Sequence, residues 1–450
     1  RLRQNDPWDA VIIGGGATGL GIALDAAARG LRVALIERGD FACGTSSRST
    51  KLIHGGVRYL AQGNISLVRE ALAERAILSR IAPDIVRPLE FIVPCYRLGE
   101  RELLRAGLGL YDTLAASASL GPTRWLSRAQ TLERLPGLQP NGLRGGVSYW
   151  DAQFDDAAMA IALMQTAFAL GATPINYVGA QSLDIQAGRM AVVHASDLET
   201  GESFRLNTRC VFNAAGVWAD AVRRMALPDC APIVTVSQGS HIVLSAEFLP
   251  SKAAMLIPRT ADGRVIFLIP WYGALLVGTT DTPRPDAPRE PEPSAEEITY
   301  LLTTAGRYLS RLLGLQDIRA SFSGLRPLLT QARSHNTAKL SREHAVFIER
   351  GHLISVVGGK WTTYRRMAID ALAAAQAAGC ISPASPDARP TDQIPLIRPH
   401  HHPQNAQSFK QTLNDPDFQR WARDHTQARN PQDLSARRTR LDFLESNTSV

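Results

Sequence analysis

The chain has 450 residues, 45% apolar and 20% charged, which is room for two or three domains and outside the composition of disordered or fibrous proteins. Its 49 Lys and Arg against 42 Asp and Glu give +7, favouring an anionic partner without choosing among a phosphorylated substrate, a membrane surface and nucleic acid. Five cysteines with no CxxC pair argue against a disulfide framework or a metal site and for a reducing compartment.

The first residues carry no signal-peptide pattern, a start at Arg1 rather than Met leaves room for preceding sequence, and no apolar run reaches the roughly 20 residues of a membrane span. From residue 9 a βαβ unit is predicted: "DAVIIGG" is an apolar run ending in glycines, "ATGLGIALDAAARG" has helical periodicity with a stop at Gly30, and "LRVALIE" closes on an acid. Gly14, Gly16 and Gly19 set the GxGxxG turn, and Ala17 and Thr18 open the helix, whose N-terminus suits a pyrophosphate. Glu37 is placed to accept from ribose hydroxyls, with Arg38 beside it. FAD is expected rather than NAD, because "TSSRSTKLIHGG" follows as a hydroxyl-rich, Gly-ended loop instead of another βα repeat. "VFNAAGVWAD" then resembles the strand that returns under the nucleotide in two-domain flavoproteins.

Further strands are predicted in "FIVPCY", "RCVFNAAG", "HIVLS", "RVIFLIP", "ALLVGTTD", "HAVFIE" and "HLISVVGG", and helices at 66–81, 101–116, 155–170, 295–313 and 363–379. The expected organisation is a discontinuous FAD domain (8–90, 145–232 and 320–380), a substrate domain (91–144 and 233–319), a Pro-rich linker (381–406) and a short helical tail (407–450). The fold class is α/β: a Rossmann-like FAD domain of the glutathione-reductase/D-amino-acid-oxidase type, a substrate domain on a mixed or antiparallel sheet, and a short C-terminal helical remnant. His400, His401 and His402 sit in the Pro-rich segment and read as solvated rather than metal-binding.

Several stretches from residue 9 to about 370 together resemble the FAD-dependent glycerol-3-phosphate dehydrogenases of the aerobic, membrane-associated type: "IIGGGATGLGIALDAAARG", "TSSRSTKLIHGGVRYL", "LVREALAERAIL", "GSHIVL", "VIFLIPW", "GTTDT", "SGLRPLL" and "VVGGKWTTYR". The resemblance implies oxidation of sn-glycerol 3-phosphate to dihydroxyacetone phosphate by hydride transfer to FAD, with electrons passed to a membrane quinone. Two stretches depart from the family pattern. Only a short remnant, "LSARRTRLDFLE", stands for the family's longer C-terminal helical domain, and Val217 replaces a usual proline.

On that resemblance, Thr45, Ser46, Ser47, Ser49, Lys51, Leu52, His54 and Gly56 are expected at the flavin loop, with Val178, and Ala214, Ala215, Gly216 and Trp218 in the returning turn. Gly359, Lys360, Trp361, Thr362 and Thr363 are expected where the last strand of the FAD domain turns into its closing helix. A phosphate dianion calls for cations. The matching positions are Arg58 with Tyr59 in "HGGVRY", Arg326 in "GLRPLL", Arg342 in "LSREH" and Lys360 in "GGKWTT". Oxidation at C2 also needs a proton acceptor. His241, with Arg326 and Lys360, is the catalytic candidate, though a histidine on an apolar strand also reads as a satisfied core residue. His54 reads as support for the flavin loop, and an arginine-assisted water is the other candidate base. Thr279, Thr280 and Asp281 are expected to form a polar corner.

The expected partners are sn-glycerol 3-phosphate, a quinone and an anionic membrane surface met peripherally, at the cytoplasmic face of a bacterial inner membrane or from the cytoplasm; the pattern leaves room for a homodimer. The surface contact would be a basic amphipathic helix with Leu103, Leu104, Leu108 and Tyr111 on one face and Arg97, Arg101 and Arg105 on others, or that helix simply packs on its own domain. No basic, aromatic-interleaved module points to nucleic acid. Competing functions are an oxidase of the same substrate that uses oxygen, an amine- or amino-acid-oxidising flavoenzyme, and a catalytically impaired FAD-binding paralogue.

Overall fold

The computed structural model describes residues 2–3, 6–57, 64–186, 190–258, 260, 264–330, 343–398 and 406–445, without the side chains at 101, 103, 106, 117 and 406. Strand β1 (Trp8–Ile13) is apolar almost throughout because it lies in the middle of a parallel sheet covered on both faces. It pairs in parallel with Ser203–Asn213 on one side and with β2 (Val33–Ile36) on the other, and Thr173–Ile175 continues the sheet beyond β2. Leu353–Gly358 extends the other side in parallel, and His344–Glu349 closes that edge antiparallel. The registers Ile13↔Asn213 and Ile13↔Ile36 bring the C-terminal ends of three adjacent strands together. That edge is where ligands sit in open α/β sheets.

Helix α1 (Ala17–Ala28) follows β1 and packs between Asp156–Ala169 and Tyr364–Ala377, with Leu20, Ile22, Ala23 and Ala26 fully buried. The other helices predicted from periodicity form within a residue or two of expectation, except that 295–313 stops at Gly306. Beyond Gly306 the chain turns so that Leu309 can bridge to Leu138 and enter the second core.

The second sheet has ten strands and is mixed, antiparallel except where Ala254–Ile257 runs parallel to Val86–Cys95. Its long members are Val234–Ser245, Ile318–Leu329, Val86–Cys95 and Gly145–Phe154. The sequence boundaries assigned 145–154 and 320–329 to the FAD domain, but both strands hydrogen-bond into this second sheet. The reason is pairing: Ile318–Leu329 matches Val234–Ser245 along its whole length, and no local pattern reveals such a partner.

The described part of the segment expected to be a linker, 381–398, is mostly exposed and is anchored at a few points. Ile381, Ile394 and Leu396 are buried, and Leu396 N–H donates to Ile81 O at 2.8 Å. The tail forms helices Ala406–Asn414, Pro416–Thr426 and Leu441–Leu444, with a π-turn at Asp433–Arg438. No helix among the described residues is long and apolar enough to cross a membrane.

Candidate cofactor and substrate site

A cavity of about 620 Å³ opens at the C-terminal edge of the parallel sheet and reaches the long strands of the second sheet. Its near wall is the turn after β1. Gly14 has φ +113°, and a Cβ there would lie 2.5 Å from Ala214 O; a Cβ on Gly19 would lie 1.9 Å from Gly14 O. Only hydrogen fits at either position, so the turn stays tight and its backbone lies against the cavity. The first turn of α1 faces this space, and one of its amides, Ala17 N–H, donates to Ser46 Oγ at 2.9 Å. At the end of β2, the Glu37 carboxylate accepts from Gly15 N–H at 2.6 Å and Gly39 N–H at 2.8 Å. Burial raises its pKa, and these amides pull back against the shift.

The loop from Asp40 to Leu52 crosses the cavity, carrying Thr45, Ser46, Ser49 and Thr50 into its wall, and the Trp361 indole donates to Ser46 O at 2.8 Å. Opposite stand Ala214, Ala215, Gly216 and Trp218 from the strand that returns beside β1. Gly358 and Gly359 adopt φ +84° and +78°, turning the last strand sharply so that Lys360, Trp361 and Thr362 face the same space.

The far wall belongs to the second sheet. His241 pairs with Gly278 and with Phe322, whose ring stacks on the imidazole at 4.8 Å. Nε2 of His241 lies 3.0 Å from Thr50 Oγ1, while Nδ1 has no hydrogen-bond partner among the described residues. Burial, reinforced by the charges of Lys51 and Arg326, drives the imidazole pKa well below its usual 6.5, so the ring is neutral at pH 7. Arg326, four residues from Phe322 on the neighbouring strand, reaches across. Its Nη2 donates to Thr279 Oγ1 at 3.1 Å and Thr280 O at 3.0 Å, and Nη1 donates to Gln238 O at 3.3 Å and approaches Asp281 Oδ1 at 3.5 Å. Thr279 to Asp281 thus make the expected polar corner, and it holds this guanidinium.

Of the remaining candidates, Gly16, Arg38, Leu52, His54 and Val178 line the cavity. Thr18, Gly19, Ser47, Lys51, Gly56 and Thr363 do not. Lys51 is the clearest correction. Its ammonium is fully buried under the loop, 2.8 Å from Asp156 and 2.7 Å from Ser47 O, with the rings of Trp271, Phe322 and Phe443 at 5.2–5.5 Å. A buried ammonium needs a carboxylate and acceptors, which Asp156 and Ser47 O supply here. Ser47 offers its carbonyl to Lys51 and Arg440, and Thr363 Oγ1 turns back to Lys360 O at 3.3 Å. Gly19 serves the approach of α1 to its own turn. Arg58, Tyr59, Arg342 and His400–His402 lie outside the described residues.

The amphipathic helix Glu100–Ala115 turns its apolar stripe inward. Leu108 and Tyr111 are 2% and 1% exposed, and the Tyr111 hydroxyl accepts from Gly55 N–H at 2.9 Å and donates to Asp151. That stripe supports the His54–Gly55 turn and is covered by the protein itself. The side chains of Arg101 and Leu103 lie outside the description.

Sequence reasoning missed Arg48, Thr50, Arg289, Gln432 and Arg437, all of which line the cavity. Arg48 stood inside a quoted motif, and "ARRTR" was a visible basic run; nothing local tied Arg289 or Gln432 to a site.

A strand–glycine turn–helix unit, a half-buried acid at the end of the second strand and a second sheet closing the far side form a cavity suited to a dinucleotide. Residues 9–365 match the model of the FAD dependent oxidoreductase family, and the chain belongs to that family, with FAD as its cofactor. It is 44% identical over 389 residues to the mitochondrial glycerol-3-phosphate dehydrogenase of Homo sapiens, an alignment covering 83% of this chain and 53% of that protein. The mitochondrial glycerol-3-phosphate dehydrogenase of Arabidopsis thaliana is 40% identical over 392 residues, covering 84% and 62% of the two chains. The chain therefore spans about half the length of the human relative and under two thirds of the plant one. Among solved structures, the glycerol-3-phosphate dehydrogenase of Bacillus halodurans complexed with FAD superposes with a TM-score of 0.75 at 28% identity, covering 98% of this chain and 87% of that one. Glycine oxidase from Geobacillus kaustophilus shares the fold alone, at TM-score 0.62 and 23% identity over 88% and 99% of the two chains.

The residues present fit FAD. The glycine cradle excludes any Cβ, amides at the start of α1 suit a pyrophosphate, and Glu37 suits a ribose. At the other end, Lys360 to Thr362 begin a helix whose amides suit the pyrimidine side of an isoalloxazine ring.

Proposed function

We propose that the protein oxidises sn-glycerol 3-phosphate to dihydroxyacetone phosphate, and that the electrons leave to a membrane quinone. The observation that carries this reading is that Arg326, Lys360 and a neutral His241 line one cavity with the FAD cradle. The relatives named glycerol-3-phosphate dehydrogenase support it.

Bound FAD supplies the two-electron acceptor for oxidation at C2. Arg326 and Lys360 grip the phosphate dianion, each charge-assisted contact contributing about 1.5–3 kcal/mol. Arg58, Tyr59 and Arg342 are further phosphate ligands in this proposal, on sequence grounds. The phosphate end fixes the three-carbon chain, so that the C2 hydroxyl meets the His241 ring, which takes the proton on a ring nitrogen. The dianion also offsets the Arg326 charge that depresses the imidazole, making His241 a stronger base when substrate is bound. The stacked Phe322 and the Thr50 hydroxyl hold the ring plane.

A simple amine would have no use for Arg326 and Lys360, and an amino-acid carboxylate, with a single negative charge, would use them less fully than a phosphate dianion does. The test is anaerobic. Glycerol 3-phosphate should bleach the flavin band of the purified holoenzyme while glycine and proline leave it oxidised. A soluble quinone analogue should then restore the band faster than air. An oxidised flavin after glycerol 3-phosphate would end the proposal; faster recovery with oxygen would make the protein an oxidase. A peripheral contact with anionic lipid belongs to the same reading, with Leu98 (82% exposed) and Leu110 (45% exposed) flanked by Arg97 and Arg105 as the surface. Flotation with anionic but not neutral liposomes is expected, and no flotation with either would exclude it.

A further inference from the structure

The C-terminal segment supplies part of the cofactor cavity, although neither the glycine turn nor the substrate corner requires it. Gln432 and Arg437 line the wall that also holds Glu37, Asp40 and Tyr177. The Asp40 carboxylate, wholly buried, is gripped by two guanidinium groups. Arg437 Nε donates to Oδ2, and Arg438 donates Nη1 to Oδ2 at 2.6 Å and Nη2 to Oδ1 at 2.9 Å. Burial would raise this carboxyl, but Arg438 and Arg437 outweigh it and hold the pKa below the ordinary value. Arg437 Nη2 also donates to Asp433 Oδ1 at 2.8 Å, and Asp433 accepts from the Tyr177 hydroxyl at 2.7 Å. At the middle of the crossing loop, Arg440 Nη2 donates to Ser47 O at 2.7 Å, and it donates also to Asp156 at 3.1 Å. Ser46, next to Ser47, meets the first turn of α1 and Trp361. The loop that spans the cofactor cavity is therefore fixed at its start and at its middle by arginines 393 to 398 positions away in sequence.

We propose that residues 427–440 form a clasp that retains FAD, with Gln432 and Arg437 touching the cofactor at the Glu37 end and Arg438 and Arg440 acting as positioning residues through Asp40 and Ser47. Bidentate Arg geometry is what sets the loop, so lysine at position 438 keeps the charge and loses the fork. The inference rests on family membership and stands whichever substrate reduces the flavin.

The test is flavin release. Loaded wild-type protein and Arg438→Lys are diluted, and the recovery of free FAD fluorescence is followed. The expected result is release at least about ten-fold faster in the variant, since half of a bidentate contact to a charged partner is worth that much. In wild-type protein, hydrogen exchange of the amides from Arg429 to Thr439 should slow on FAD binding, as should that of the amides after Gly14. Release within two-fold of wild type overturns the clasp, even with a lowered melting temperature, because the ion cluster would then be structural only. Equal exchange of these amides with and without FAD overturns it as well, and decides alone if Arg438→Lys cannot be purified loaded.

Discussion

Gly278 and Gly239 have no side chain because His241 and Arg326 occupy the space one would need. A Cβ on Gly278 would lie 2.1 Å from His241 Cδ2, and a Cβ on Gly239 would lie 2.1 Å from Arg326 Nη2. These glycines let both side chains lie against the strands, where they line the cavity. Gly239→Ala should push the guanidinium off the polar corner and raise KM for glycerol 3-phosphate about ten-fold or more, with a smaller change in kcat, in steady-state assays with a quinone analogue. The pH profile tests the histidine. Its folded pKa lies below the free value, so the base form persists as pH falls through 6.5, and the acid limb of kcat/KM should lie below that point. The same sign applies to stability: between the folded pKa and 6.5 the unfolded chain binds more protons, so stability drops as pH falls through that window. Arg326→Gln removes one of the charges that depress the imidazole, so its acid limb should move to higher pH. An unmoved limb would mean that another group titrates.

At the scale of elements, the helix Glu100–Ala115 holds the His54–Gly55 turn through a buried set of Tyr111, Asp151 and Arg75. Arg75 Nη1 donates to Asp151 at 2.7 Å and Nη2 to Ala118 O at 2.8 Å, so removing any member leaves a buried polar group without its partner. Arg75→Met should destabilise the protein by about 3–5 kcal/mol in urea unfolding, whereas Tyr111→Phe should cost about 1–3 kcal/mol. The β1–α1–β2 unit was legible in the sequence because its glycines, periodicity and closing acid are contiguous. The inward turn of Leu108 and Tyr111 was not, since an amphipathic stripe looks the same against a membrane or a neighbouring strand. The placement of Gly145–Phe154 and Ile318–Leu329 was hidden for a related reason: a strand's sheet is set by partners many residues away.

At the scale of the whole molecule, the FAD cavity is assembled from residues as far apart as Gly14 and Arg437, so cofactor and fold are linked. FAD at 100 times its Kd should stabilise the chain by about 2.7 kcal/mol, read as a concentration-dependent rise in melting temperature. The tail illustrates what long-range assembly hides from sequence, for "ARRTR" looks like a solvated run until Asp40 and Asp156 are brought to it. The proposed oxidation of glycerol 3-phosphate requires the junction between the two sheets to recognise a phosphate dianion through Arg326 and Lys360. The direct measurement is anaerobic rapid mixing of glycerol 3-phosphate and of glycerol with the holoenzyme, wild type and an Arg326→Gln, Lys360→Gln double variant, following the flavin band. Wild type should prefer the phosphorylated substrate in the second-order rate of flavin reduction, and the double variant should lose about 10²–10⁴ of that preference, because two charge-assisted contacts are gone. A preference that survives intact in the double variant would contradict the claim.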